Sequence, residues 1–469
     1  MSKQSNTNTH GTVPKGPASR QGQMDTVSKN KQILFSLSPD DNCSDEVPCP
    51  DAVPQLSPGV VQRFRNCVIQ KLHKQCARSL AGSWSVPENV DIQELRSCGL
   101  SNYLFSACLR DHVPVIAGEP RKVLIRVYGE VLRSSVDSIV LDSVNFAILS
   151  EKRIGPSLYG VFPGGRIEEF IESRPLLASE LSIPKVMEAI ARHTARIHRL
   201  NMPFCKQPTF LLKMMEKFLA QLTGAREPPS RPTPNLSKTS LAELQVEYDR
   251  HVTESNVGEW VTVGFLETQQ MALQFRLCEE FAWLKAKFQE SPKDMFPVVF
   301  CHNDLQENNI LVLDKPGEEG TYELLPIDFE YAGYNYRAFD VGNHFNEWCY
   351  DYAIQDPPYY TYNYDLYPSR EQQAFFWTAY FNADCVERNS SGDCGSPDTT
   401  NDHTSQLNGE HDFDKLWIET AYGSLYSHLF WAAWSLVQSQ ISSIRFRFNE
   451  YAASRMDAYH RLKKLVDCD

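Results

Sequence analysis

Three residues near the middle of the chain have the types and spacing for phosphoryl transfer to an alcohol. Between Pro297 and Tyr336 a short apolar run, Val298-Val299-Phe300, leads into CHNDLQENN, a second run covers Ile310 to Leu313, and LLPIDFEY follows. Asp304 and Asp328 each follow a short apolar run and Asn309 lies between them, in the pattern H-x-D-x-x-x-x-N and then I-D-F. Moving a phosphoryl group to a hydroxyl asks little of a protein: a carboxylate to accept the hydroxyl proton, and hard oxygen donors for a Mg2+ ion against the phosphates. Asp304 suits the first task. The amide of Asn309 and the carboxylate of Asp328 suit the second. A single loop Asp is usually a turn former or a cap, so the weight rests on the three together.

Such groups must be held by strands and helices, and the sequence supplies both in two textures. From about Val61 to Phe170 it reads as strands with one helix. Lys122 to Tyr128 (KVLIRVY) alternates, with Val123, Ile125 and Val127 on one face and Leu124, Arg126 and Tyr128 on the other. Cys98 to Phe105 reads as a turn feeding a strand, Ser138 to Ser150 as a helix, and Ser157 to Phe170 as a hairpin turning at Pro163-Gly164-Gly165. From Ser182 helices dominate. Ser182 is placed as an N-cap with Pro184 in the first turn, and Ile183, Met187, Ile190, Thr194 and Ile197 form one apolar face. The expected fold is α+β and bilobal: an N-terminal β-rich lobe over 56–171 and a larger helical lobe over 172–469. Residues 1–55 are polar and read as a disordered tail. Arg226 to Ser240 reads as an exposed loop, and about 386–412 as a mobile hydrophilic insertion.

Composition narrows the class of function. The formal net charge is −13, from 46 Lys and Arg against 59 Asp and Glu, with no basic stripe, so nucleic-acid binding is not expected. Thirteen scattered cysteines and an N-terminus without an apolar h-region lead to the expectation of reduced thiols in the cytoplasm. No Cys/His spacing suggests zinc. Ala421 to Val437 carries no Asp, Glu, Lys or Arg, but polar residues interrupt it, so it reads as a buried core helix rather than a membrane span.

At this point the sequence resembles the choline/ethanolamine kinase family, which is similar to aminoglycoside phosphotransferases and protein kinases. The resemblance runs from about Leu95 to Leu462. It is carried by CHNDLQENNILVL, by PIDFEYAGYNYRAFDVGNHFNEW (Pro326 to Trp348) and by HLFWAAWSLVQSQISSI (His428 to Ile444). It implies a protein-kinase-like fold and transfer of phosphate from ATP to choline, giving phosphocholine for phosphatidylcholine synthesis. It also implies Mg2+ and a homodimer. By position, Asp304 would be the base, and Asn309 and Asp328 the metal ligands. Arg126 would contact ATP phosphates, with Asp142 where the family has its helix Glu. Ser101 and Asn102 would lie in the phosphate-covering loop, and Glu168, Glu169 and Ile171 in the connector that meets adenine through backbone groups. His302, Gln306 and Asp340 would support the catalytic loop, with a helix cap as the alternative role of Asp340.

A quaternary ammonium has no N–H to donate, so it is bound by aromatic faces and a nearby carboxylate. Trp431 and Trp434 share a helix face, Tyr331 follows the IDFE segment, and Glu347 and Tyr352 come soon after. The resemblance to the choline branch places these with Phe446 and Tyr451 around the substrate. Tyr350, Tyr359 and Tyr360 read as packing residues, and His198 and His344 as core or helix residues. Two alternatives stay open: ethanolamine as the acceptor, or an inactive kinase-fold scaffold.

Overall fold

The structure, a computed structural model, describes residues 58–95, 102–129, 136–224, 257–313, 322–391, 412–442, 444 and 446–466. The expected tail, the loop from Arg226 to Ser240 and residues 392–411 fall outside them, as does Ser101.

The first layer is a five-stranded antiparallel sheet, and it is flanked by two helices where the sequence suggested one. Helix α1 (Pro58–Leu80) precedes strands β1 (Val90–Glu94), β2 (Asn102–Leu109) and β3 (Lys122–Tyr128). Helix α2 (Val136–Glu151) and the hairpin of β4 (Leu158–Phe162) and β5 (Gly165–Glu169) follow. The strand order is β1-β2-β3-β5-β4. Gly164 sits in the hairpin turn at φ +90°, a conformation that favours glycine. The alternation of β3 decides what each face does. Val123, Ile125 and Val127 pack with Val68, Leu72 and Cys76 of α1 and with Ile167 in one core, where each large aliphatic contributes about 1.5–3 kcal/mol. On the opposite face Arg126 and Tyr128 are buried as well, so charge is sealed under this sheet rather than facing solvent.

The second layer is helical, with short strands threaded through it. Strand β6 (Ser173–Pro175) leads to α3 (Pro184–His198), α4 (Phe210–Leu222), α5 (Val257–Gln274) and α6 (Leu277–Glu290). Helix α3 begins one residue later than expected. Ile183 is its N-cap residue and makes no side-chain cap bond, while Pro184 needs no partner at that position. Its buried face includes Met187, Ile190, Thr194 and Ile197, as the spacing requires. Strands β7 (Val298–Cys301), β8 (Ile310–Leu313), β9 (Leu324–Pro326) and β10 (Gly333–Tyr336) then precede α7 (Arg337–Glu347). Strand β7 pairs with β10, while β8 lies between β6 and β9. After the short pair β11 (Tyr350–Asp351) and β12 (Thr361–Tyr362), the chain ends in α8 (Arg370–Ser391), α9 (Phe413–Ile441) and α10 (Phe448–Val466).

Helix α9 is the axis of this layer. It is buried on every side from Thr420 to Gln438, apart from Tyr422, which explains a sequence that is apolar all round. Among the described residues no helix is long and apolar enough to cross a membrane. Helix α7 crosses α9 at touching distance through Gly342 and Gly423. A Cβ on Gly423 would stand 1.7 Å from the carbonyl oxygen of Ala338. That approach brings Asn343 of α7 against Trp431 of α9.

Candidate functional site

The short strands fix where Asp304, Asn309 and Asp328 stand. Antiparallel pairing of Cys301 with Gly333 ends β7 just before His302. Pairing of Ile310 with Pro326, and the bond from Ile327 N to Asn309 O at 2.9 Å, fix Asn309 beside the start of IDF. Asn309 Nδ2 donates to the Asp304 carbonyl at 2.8 Å and to Asp304 Oδ2 at 2.9 Å. Its amide oxygen is thereby turned away from Asp304. Both Asn303 and Asp328 hold left-handed backbone, at φ 67° and 64°, a conformation non-glycine residues keep only where the surroundings demand it.

The supports of this loop are buried. Asp340 of α7 accepts from His302 N at 2.9 Å and Asn303 N at 2.7 Å, and meets His198 Nε2 at 2.9 Å. Two backbone amides and an imidazole hold the Asp340 carboxyl below the usual range despite its burial. His302 accepts from Asp304 N through Nδ1 at 3.3 Å, so its Nε2 carries the proton donated to the Ile327 carbonyl at 2.8 Å. Burial lowers its pKa and favours that neutral form. Gln306 is half-buried, and its carbonyl accepts from Asn309 N at 3.0 Å. His198 and His344 are buried and bonded, His344 Nδ1 to the Leu305 carbonyl at 3.1 Å, with burial pushing His344 down to about 4.

Carboxylates crowd the cleft. Burial, then Glu347, Asp328 and Glu330 in that order, push the Asp304 carboxyl well above its ordinary range. Glu307, buried behind it, is raised by burial and by Glu347. Such an assembly of acids calls for cations, and its oxygen-only donors suit a hard one. Arg126 supplies one positive charge from the sheet: its Nη1 donates to Asp328 Oδ1 and Oδ2 at 2.9 and 3.0 Å. Asn102 at the start of β2 reaches the same region, donating to Glu330 Oε2 at 2.7 Å.

The geometry places two parts of the family pattern in detail. Arg126 does not pair with Asp142. Asp142 meets Arg166 of β5 instead, while Arg126 takes Asp328 and approaches Glu168 at 3.5 Å. The shorter acid on α2 is met by an arginine from the neighbouring strand. Glu168 also lies inside the sheet, in register with Leu124 and Leu158, and Glu169 N donates to the Ser157 carbonyl at 2.8 Å. The Glu169 carboxylate turns outward to Ser157 Oγ at 2.7 Å. Glu169 is thus the last residue of β5, and Phe170 and Ile171, both half-buried, follow it.

The aromatic residues come together as one continuous surface. Tyr331 and Trp431 meet edge to face at 5.2 Å, and Trp431 and Trp434 at 5.4 Å. Phe446 lies 5.4 Å from Tyr451, and Tyr352 6.5 Å from Phe446. Trp434 Nε1 donates to Tyr331 Oη at 3.0 Å, and Trp431 Nε1 to Asn343 Oδ1 at 2.7 Å, so both indoles are locked. Glu347 Oε2 accepts from the Tyr352 hydroxyl at 2.9 Å, which meets the Tyr451 hydroxyl at 2.8 Å. Tyr350 and Tyr360 are buried in the same cluster and Tyr359 packs against it, as packing residues do.

Arg455 was missed from the sequence. It is only 1 % exposed, pairs with the other oxygen of Glu347, and lies 4.2 Å above the Tyr350 ring. The signal was there: in α10, Tyr451, Ala452, Met456 and Tyr459 form an apolar face, and Arg455 stands in it. Arg166 and the Glu168 side chain were missed because β5 reads as a polar strand.

A small antiparallel sheet over a helical body, with Asp304, Asn309 and Asp328 at the junction and an arginine reaching them from the sheet, defines a phosphotransferase of the bilobal kinase-like fold. The family model for choline/ethanolamine kinase matches residues 93–460. Choline/ethanolamine kinase from Rattus norvegicus is 38% identical over 396 residues, covering 84% of this chain and 86% of that protein. Choline kinase alpha from Mus musculus is 34% identical over 412 residues, covering 83% and 79%. A choline kinase structure from Cryptosporidium parvum shares the fold, with a TM-score of 0.58 at 22% identity over 85% of this chain and 96% of that one. The chain belongs to the choline/ethanolamine kinase family.

Proposed function

We propose that this protein phosphorylates choline, with ATP as donor and phosphocholine and ADP as products. The observation that carries the reading is the aromatic surface closed by a buried carboxylate beside Asp304. Asp304 is the base, oriented by Asn309 and by the loop that Asp340 holds. The choline oxygen attacks the γ-phosphorus, its proton passes to Asp304, and the bond from the γ-phosphorus to the β–γ bridging oxygen breaks to release ADP. Burial and the neighbouring acids raise the Asp304 carboxyl above its ordinary range. The positive charge of choline near Glu347 shifts it towards the carboxylate that accepts a proton. Asn309 and Asp328 are the residues that would hold Mg2+, whose chemistry here is to neutralise charge on the phosphate oxygens. Arg126 contacts the phosphates from above, with Asn102 beside them, and backbone groups of the connector from Glu168 to Ile171 meet the base.

The acceptor choice follows from Glu347. One of its oxygens takes Arg455 and the other the Tyr352 hydroxyl, so about two of the four acceptor sites of the carboxylate are taken before a primary ammonium arrives. Aromatic faces need no such capacity, and they favour choline over ethanolamine. The inactive-scaffold alternative has no support from the site, since Asp304, Asn309 and Asp328 are all in place. A cytoplasmic homodimer is part of the same proposal, by analogy with the family. The test is product identification by mass spectrometry after incubation with Mg-ATP and choline: phosphocholine is expected, and ADP without phosphocholine would overturn the acceptor assignment.

A further inference from the structure

Five charged side chains run in alternating sign from α2 to the catalytic segment, and the kinase reading uses only the last two. Asp142 pairs with Arg166 Nη1, and Arg166 Nε donates to Glu168 Oε2 at 2.8 Å. Glu168 Oε1 lies 3.5 Å from Arg126 Nε, and Arg126 Nη1 binds Asp328. Arg126, Asp142, Arg166 and Glu168 are 4, 2, 1 and 2 % exposed. Arg166 is further fixed over the Phe146 ring at 4.1 Å.

The free end of this chain has a consequence for ligand entry. Arg126 and Asp328 are each other's partner, yet the first is to meet phosphate and the second a cation. They must part when nucleotide and metal arrive. Phosphate takes over the charge at Nη1, so what Arg126 loses with Asp328 is the protein partner that fixes its place in the cleft. Arg126 Nε makes no hydrogen bond, and Glu168 is the acid facing it. That contact has slack and can tighten as Nη1 turns to the phosphates.

We propose that Glu168 is a positioning residue that keeps Arg126 in the cleft when Asp328 releases it, and that Asp142 acts on Arg126 only through Arg166 and Glu168. This rests on the reading of Arg126 as a phosphate ligand. It also accounts for an Asp at position 142: the acid reaches an intervening arginine instead of Arg126 itself.

The experiment is ATP binding by calorimetry without acceptor, set beside steady-state KM values for ATP and choline. Glu168→Gln is expected to weaken ATP about tenfold while the choline KM moves less than about twofold, the split expected of a residue acting on one substrate. The apparent Mg2+ requirement should rise, because Arg126 then leans on Asp328 alone. Glu168→Gln removes a buried charge and can unfold the sheet, so it is also combined with Arg166→Met and Asp142→Asn, which leaves no unpaired charge behind Arg126. The combined variant should fold and keep the ATP defect. Equal weakening of ATP and choline, no weakening at all, or recovery of ATP affinity in the combined variant would each overturn the proposal. Absence of choline turnover in the wild type would remove the acceptor reading alone, since calorimetry reports on ATP without it.

Discussion

Replacing Trp434 by leucine separates a cation cage from an ordinary apolar pocket. Leucine keeps an apolar side chain but removes the ring face and the indole N–H that holds Tyr331 Oη at 3.0 Å. Loss of that bond and of packing around a residue only 4 % exposed should cost about 2–4 kcal/mol of stability, so assays belong well below the new melting point. One ring face contributes about 0.5–2 kcal/mol to binding a cation, depending on its desolvation. At about 1.4 kcal/mol per tenfold, kcat/KM for choline should fall roughly two- to thirtyfold. The assay is kcat/KM across ethanolamine, its mono- and dimethyl derivatives, choline, and the uncharged isostere 3,3-dimethylbutanol. The loss should grow with methylation, because each methyl removes an N–H that could bond elsewhere. The uncharged alcohol should be poor in both proteins and nearly insensitive to the change. Equal losses for every acceptor would refute the cage and leave a general packing role for Trp434.

Three further outcomes follow from the buried charges and the helix crossing. Asp304→Asn should abolish turnover by at least about a hundredfold and raise the melting temperature of the ligand-free protein by about 2–4 °C at pH 8. A carboxyl raised in the folded state loses stability as pH climbs from its unfolded value to its folded one, so the gain should vanish below about pH 4 and turnover of the wild type should fall on the acid side; a lower melting point at pH 8 would contradict this. Arg455→Met leaves Glu347 buried without its counter-ion and should cost about 3–5 kcal/mol, read by chemical denaturation, whereas an unchanged midpoint would show the pair to be dispensable. Gly423→Ala drives a Cβ into the Ala338 carbonyl and should exceed the usual overpacking cost of about 1–3 kcal/mol, seen as loss of soluble protein; wild-type melting would mean the helices can part.

Much of this is legible in the sequence. The period-two alternation of β3 and the apolar spacing of α3 are local signals, and both elements formed with the expected faces buried. The three oxygen-bearing residues of the loop were legible because their spacing is fixed by two short strands. Helix α1 was passed over, since Val68, Leu72 and Cys76, which pack against the sheet, stand among many polar and charged residues. Charge pairing was the least legible. Whether Arg126 meets Asp142 or Asp328 depends on strand order, and β5 lies beside β3 although β4 precedes it in sequence. Arg455 was hidden for the same reason: its partner Glu347 is 108 residues away and joins it only through the packing of α7 and α10 on α9.

The most direct test of the central claim is ADP release by the purified protein with Mg-ATP, run with choline, with ethanolamine and with no acceptor, each repeated with Asp304→Asn. The account predicts strong release with choline, weaker release with ethanolamine, background without acceptor, and background throughout for the variant. Release that does not depend on choline, or that survives in Asp304→Asn, would contradict it.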